Sequence, residues 1–145
     1  MNTSLRLNRG VSLMELMIVV GIIGILAAIA VPSYMAYSIR THRAAARACM
    51  SEAAQFMERF YTTRQTYEGA DALLALGCQS ESGLNTHYTI TAGAPAGPAP
   101  TQRTFTLLAT PIAAQANSDT LCAVLSLDQL GTRGATGTGG PAACW

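Results

Sequence analysis

The sequence contains no lysine and only two histidines, and charged residues make up just 12% of its 145 positions. Nine arginines stand against eight acids, and setting aside Arg6 and Arg9 near the N-terminus leaves seven against eight. Without a basic surplus, nucleic-acid binding gets no support from charge. Patterns that carry chemistry are missing too. His42 and His87 lie far apart in sequence, no cluster of His, Cys, Asp and Glu has metal-ligand spacing, and the four cysteines include no C-x-x-C pair. Ser33, Ser51 and Ser126 lack a G-x-S-x-G setting, and the glycines of the tail follow no strand-glycine-helix phosphate pattern. The sequence therefore predicts no enzyme, no metal and no cofactor, and gives each histidine a structural role.

What the chain does have is an unbroken apolar run from Val11 to Val31, entered from an arginine-bearing leader and interrupted by one carboxylate, Glu15. As a helix its 21 residues would span about 31 Å, enough to cross a hydrocarbon layer of roughly 30 Å. An ionised side chain at the bilayer centre costs at least about 2.5 to 3.5 kcal/mol. Glu15 therefore needs a partner. A cut after Gly10 would supply one, because the new ammonium at Val11 would lie about 6 Å along the helix axis from Glu15. In an apolar setting such opposite charges attract far more strongly than in water. Among staggered helices, the amine of one copy meeting Glu15 of the next would set axial register.

Helical periodicity continues beyond the run. Cys49, Ala53, Phe56, Met57 and Phe60 recur at spacings of three and four, with Arg40, Arg43, Arg47, Ser51, Gln55 and Glu58 on the opposite face. The pattern predicts one helix from Ser12 to about Thr63, with Pro32 removing a ladder bond and kinking it. The arginine stripe reads as a solvated face, with subunit contacts, anionic lipid or DNA as its other uses. Residues 64–87 read as a connector with a short helical turn at Ala70–Leu76 ended by Gly77.

Tyr88–Ala92 and Arg103–Thr110 have strand composition, and the GAPAGPAP stretch between them is a loop, with a proline-motif ligand as the lesser reading. Leu121–Leu127 alternates with period two, as a strand with one face on a core would. Residues 128–133 turn the chain, and the glycine-rich tail cannot hold a regular element unaided. Beyond the leader and the apolar run the chain can build one small domain with a thin core. Cys49, Cys78, Cys122 and Cys144 could staple it in an oxidising compartment, and three connectivities are open. A Cys122–Cys144 bond would enclose 21 residues and add about 3 to 4 kcal/mol, leaving Cys49 to fasten the helix to Cys78.

The segment Gly10–Tyr34, GVSLMELMIVVGIIGILAAIAVPSY, resembles the N-terminal signature of type IV prepilins: a short basic leader ending in glycine, an acid five residues into the mature chain, and an apolar helix ending at a proline. RACMSEAAQFMERFYTTRQTYEGA, LCAVLSLDQLGTRG and the terminal Ala-Cys-Trp are similar to minor pilins of the PilE type. The resemblance implies an α+β pilin-like fold: a long N-terminal helix, half apolar and half amphipathic, on a small antiparallel sheet with a disulfide-closed C-terminal loop. It divides the chain into a leader at 1–10, a transmembrane and filament-core segment at 11–31, an amphipathic half-helix at 32–63, a connector at 64–87 and a sheet with its C-terminal loop at 88–145. It also implies cleavage between Gly10 and Val11 by prepilin peptidase, N-methylation of Val11, and a role for Glu15 in assembly. The commonest residue after the cleaved glycine in the family is phenylalanine, and here it is Val11.

The implied function is a structural subunit of a type IV pilus, inserted in the inner membrane with its domain periplasmic and then polymerised on the cell surface for adhesion, twitching or DNA uptake. Its partners would be other pilin subunits, the peptidase, the assembly machinery and the membrane. A raw count of flanking arginines would instead place the domain in the cytoplasm; the cysteines and the resemblance override it. The alternatives are a pseudopilin of a type II secretion system and a signal-anchored or secreted small domain, since Ala28, Ile29 and Ala30 also form an A-x-A site.

Overall fold

A computed structural model of the chain describes residues 11–74, 77–81, 83–93 and 98–145. The leader with Gly10, residues 75 and 76 of the expected turn, and residues 94–97 of the proline-rich loop lie outside the described residues. The chain divides into two units, 1–37 and Ser38–Trp145, the second called the headpiece below. Helix α1 runs Leu13–Arg64, one residue later at each end than its periodicity predicts, with Pro32 inside it.

The headpiece has the expected α+β organisation. Strands β1 (Tyr88–Ala92), β2 (Thr106–Pro111), β3 (Leu125–Asp128) and β4 (Arg133–Ala135) form an antiparallel sheet in sequential order. Tyr88 lies opposite Pro111, Leu107 opposite Leu127, and Leu125 opposite Ala135. This register puts Tyr88, Ile90, Ala92, Leu107, Ala109, Leu125 and Leu127 in one core with Ala46, Cys49, Met50, Ala53, Met57 and Phe60 of α1. Short helices α2 (Gly77–Glu81), α3 (Ala113–Ser118) and α4 (Gly140–Cys144) fill the connections.

Both outer edges of the sheet carry a side-chain cap. The Gln79 amide donates to the Ile90 carbonyl and accepts from its N–H, each at 3.4 Å, on β1. On β4 the Trp145 indole N–H donates to the Gly134 carbonyl at 2.8 Å. Such caps occupy groups through which an exposed edge would pair with another chain.

Three local expectations are corrected. Strand β2 begins at Thr106 and not at Arg103, because residues 101–104 close a turn in which the Thr104 N–H donates to the Thr101 hydroxyl at 3.0 Å. The alternating stretch from Leu121 forms a strand only from Leu125. Ala123 takes a φ of +49°, and the Leu121 and Cys122 carbonyls accept from Gly139 and Gly137 of the tail. At Gly137 a Cβ would come within 2.3 Å of the Leu121 carbonyl oxygen, so a residue without a side chain is required there. Gly77 opens α2 instead of ending a helix, and the turn before it is a 3-10 helix at Asp71–Leu73. The tail, as its glycine content requires, holds its regular elements β4 and α4 with support from the Cys144 bond and the Trp145 cap.

Candidate functional site

In the first unit every residue from Val11 to Tyr37 is exposed, including Ile18, Val20, Ile22, Ile25, Leu26 and Ile29 at 53% to 68%. A window of α1 reaches a mean hydropathy of 2.6, and its length and composition suit a membrane span. Val11 sits just before the helix, and Glu15 lies in its first turn, where the N-terminal end of the helix dipole favours a carboxylate. Small residues punctuate the run: a Cβ added at Gly21 or Gly24 would meet nothing within 4 Å. Close approach of another helix needs such positions.

The four cysteines pair as Cys49–Cys78, with Cα atoms 5.6 Å apart, and Cys122–Cys144, at 5.5 Å. The first ties α1 to α2 across a sequence separation of 29, and the second closes the tail across 22. In the loop-entropy model each contributes about 3 to 4 kcal/mol.

Beneath the sheet lies a polar cluster that the sequence does not announce. Arg43, expected on the solvated stripe, is 8% exposed, and Asp119 is 1% exposed. The guanidinium grips the carboxylate through two bonds, Nε to Oδ2 at 3.0 Å and Nη2 to Oδ1. The Tyr88 hydroxyl donates to Oδ2 at 2.6 Å, while the Gln115 amide donates to the Tyr88 hydroxyl at 3.2 Å and to the Ile39 carbonyl at 3.3 Å. Burial alone would push the Asp119 carboxyl up, but the bonds from Arg43 and Tyr88 outweigh it and hold the group below the usual carboxylate range. Tyr88 is pushed up to about 12, by burial first and then by its bond to Asp119.

His42 and His87, distant in sequence, stack with ring centroids 3.5 Å apart and planes 16° from parallel. His42 Nδ1 also lies 3.4 Å from the Gln115 side-chain oxygen. Burial, and then the neighbouring His42, lower the proton affinity of His87. The imidazole pair and the carboxylate cluster share Gln115, so α1, β1 and α3 meet at one polar clasp. Arg43 could have been found from its spacing, because 43, 46, 50, 53, 57 and 60 form one helical face and all six are buried. Nothing in the sequence marks Asp119 as its partner.

Arg43, Asp119, Tyr88 and Gln115 bond to one another, and no group of three metal-ligating side chains occurs among the described residues. The features that remain are an exposed apolar helix and a disulfide-stapled headpiece, which fit a membrane-anchored subunit. Comparison with known proteins gives the same class. Residues 32–126 match the family described as type IV minor pilin ComP, DNA uptake sequence receptor, and residues 5–31 match the prokaryotic N-terminal methylation motif.

The chain is similar to the type IV major pilin protein PilA of Myxococcus xanthus, 36% identical over 87 residues that cover 60% of this chain and 39% of that protein. It is also similar to the type IV wide pilus major component PilA4 of Thermus thermophilus, 32% identical over 87 residues covering 59% of this chain and 66% of that one. Among solved structures, a type IV pilin from Shewanella oneidensis superposes with a TM-score of 0.49 and 26% identity, over 74% of this chain and 97% of the other. The Neisseria meningitidis minor pilin PilV gives 0.47 and 25%, over 70% and 89%. The chain belongs to the type IV pilin family.

Proposed function

We propose that this chain is made as a prepilin, cut between Gly10 and Val11 by prepilin peptidase, N-methylated on Val11, and polymerised as a subunit of a type IV pilus, in the manner of a minor pilin. The reading rests on one observation above all: residues 11–31 present apolar side chains on every side with Glu15 as the lone charge. Lipid would cover this surface in the inner-membrane precursor, with the headpiece in the periplasm. Neighbouring copies of the same kind of helix would cover it in the filament, at little hydrophobic cost. Glu15 would meet the Val11 amine of an adjacent subunit, which neutralises both charges and fixes the axial offset.

Two disulfides suit an exported headpiece, and the C-terminal pair weighs toward a pilus against a secretion pseudopilin. Intact mass after membrane extraction should show loss of ten residues and gain of one methyl group. Loss of thirty residues would instead mean ordinary secretion. Glu15→Leu should insert in the membrane normally yet vanish from sheared surface filaments, and normal incorporation of that variant would overturn the assembly role.

A further inference from the structure

The headpiece uses its charges sparingly. Residues 38–145 hold seven arginines and seven acids, yet Arg43 with Asp119 is the one internal ion pair among the described residues. Two of the other arginines converge. Arg47 on α1 and Arg133 on β4 line a groove of about 300 Å³ together with Ala44, Ala48, Ser51 and Trp145. No acid lines it. Arg133 is held in place, its guanidinium carbon 5.4 Å from the centre of the Trp145 ring. The indole is fixed in turn by its bond to Gly134, so the cation is positioned before any partner arrives.

Chain chemistry of the opposite sign lies elsewhere on the headpiece. Glu68 and Asp71 are exposed in the turn that follows α1, where the Glu68 N–H is bound by the Thr66 hydroxyl and Gly69 takes a φ of +76°. Arg47 precedes the end of α1 at Arg64 by 17 residues, about 26 Å of helix. Socket and acidic turn therefore occupy different ends of that helical segment. A contact between two different patches on identical molecules is heterologous, and when its rotation does not close it builds an open helical filament.

We infer that the Arg47–Arg133–Trp145 groove is a socket for the Glu68–Asp71 turn of a second copy of this chain, an electrostatic contact between headpieces that orders them along the filament. The inference rests on the pilus-subunit reading for its setting. A sister molecule carries the exposed carboxylates that would complement the two groove arginines. Carboxylates on a short turn also match a groove with two guanidinium forks.

The test is charge reversal with exchange in the full chain. Arg47→Glu with Arg133→Glu, or Glu68→Arg with Asp71→Arg, should each lower incorporation into sheared filaments by at least about tenfold. Combining all four changes in one chain should restore it. A second readout does not need filaments: in detergent solution, where no bilayer fixes the height of either copy, oxidising a mixture of a copy with Ser51→Cys and another with Asp71→Cys should yield a linked dimer that neither copy forms alone. Correct disulfides and unchanged membrane levels confirm that each variant folds. Normal incorporation of either reversed pair, failure of the fourfold variant to recover, or absence of the mixed dimer overturns the socket. A charge-reversed groove that lost binding to single-stranded DNA while filaments stayed normal would assign it to nucleic acid instead. If the unaltered chain never reaches filaments, the pilus reading falls, and the mixed dimer still decides the contact.

Discussion

Removing Arg43 should unfold the headpiece more readily at neutral pH than in mild acid, and the buried clasp sets the size of the effect. Arg43 and Asp119 are 8% and 1% exposed, and the carboxylate takes two bonds from the guanidinium and one from Tyr88. Breaking a buried pair by deleting one member typically costs about 3 to 5 kcal/mol, because the survivor is left charged and poorly solvated. Arg43→Met keeps the stem volume and leaves Asp119 with Tyr88, Gln115 and the Cys122 backbone N–H as its remaining donors. Burial then dominates and raises the carboxyl above its unfolded value, so protonation relieves part of the penalty as the pH falls.

Asp119→Asn strands the arginine instead, which cannot discharge, and its cost of about 3 to 5 kcal/mol should stay flat across that range. Arg43→Met combined with Asp119→Leu removes both charges and should be less destabilised than either single change. Denaturant unfolding of the full chain in detergent, with disulfides intact, measures all three. Single variants within about 0.5 kcal/mol of the parent, or costs that simply add in the double variant, would refute the argument that the clasp holds a mutually dependent buried pair.

Two further outcomes follow from the same construction. His87 binds its proton less tightly in the folded state than the ordinary value of 6.5, so its contribution is complete above that pH and declines as the pH drops from 6.5 toward the lowered value. The unfolding midpoint should fall between pH 7 and pH 5, and His87→Gln should flatten that slope; an unchanged slope would mean the stacked imidazoles do not set it. Loss carried by Asp119 begins only below its ordinary 3.8, which keeps the two windows apart. Replacing Cys49 and Cys78 together by serine should lower stability by about 3 to 4 kcal/mol without changing the fold, as read by unfolding midpoint and by retention of the sheet.

The parts of this molecule that were legible in the sequence are those set by periodicity. Spacings of three and four in residues 49–60 put Cys49, Ala53, Met57 and Phe60 on the buried face, and the composition of Tyr88–Ala92 marked β1 to the residue. Where a side chain or a distant segment competes with the local pattern, the pattern misleads. Leu121–Val124 alternates like a strand but bonds to the tail through Gly137 and Gly139, and Thr101–Thr104 prefers its own hydroxyl-closed turn to an extended start for β2. Arg43 belongs by spacing to the apolar face and by chemistry to water, and only its partner 76 residues away resolves the conflict. Pair partners at that separation leave no trace in one sequence.

The apolar helix raises an energetic question that its hydrophobicity cannot answer. Lipid tails solvate Ile and Val as well as a sister helix does, so burying residues 11–31 in a filament yields almost no hydrophobic gain over leaving them in the bilayer. A bias toward assembly must come from groups that lipid serves badly, and the run contains one such side chain, Glu15. A charge at the bilayer centre costs about 2.5 to 3.5 kcal/mol, a factor of roughly 70 to 400, which is an upper bound on what a neighbour's ammonium could return to a carboxylate in the first turn of the helix. In the proposed processing the leader would control that recovery, since before a cut after Gly10 Val11 would carry an amide and have no charge to offer. On that proposal processing would do more than trim the chain: it would create the ammonium that Glu15 of a neighbouring copy could meet.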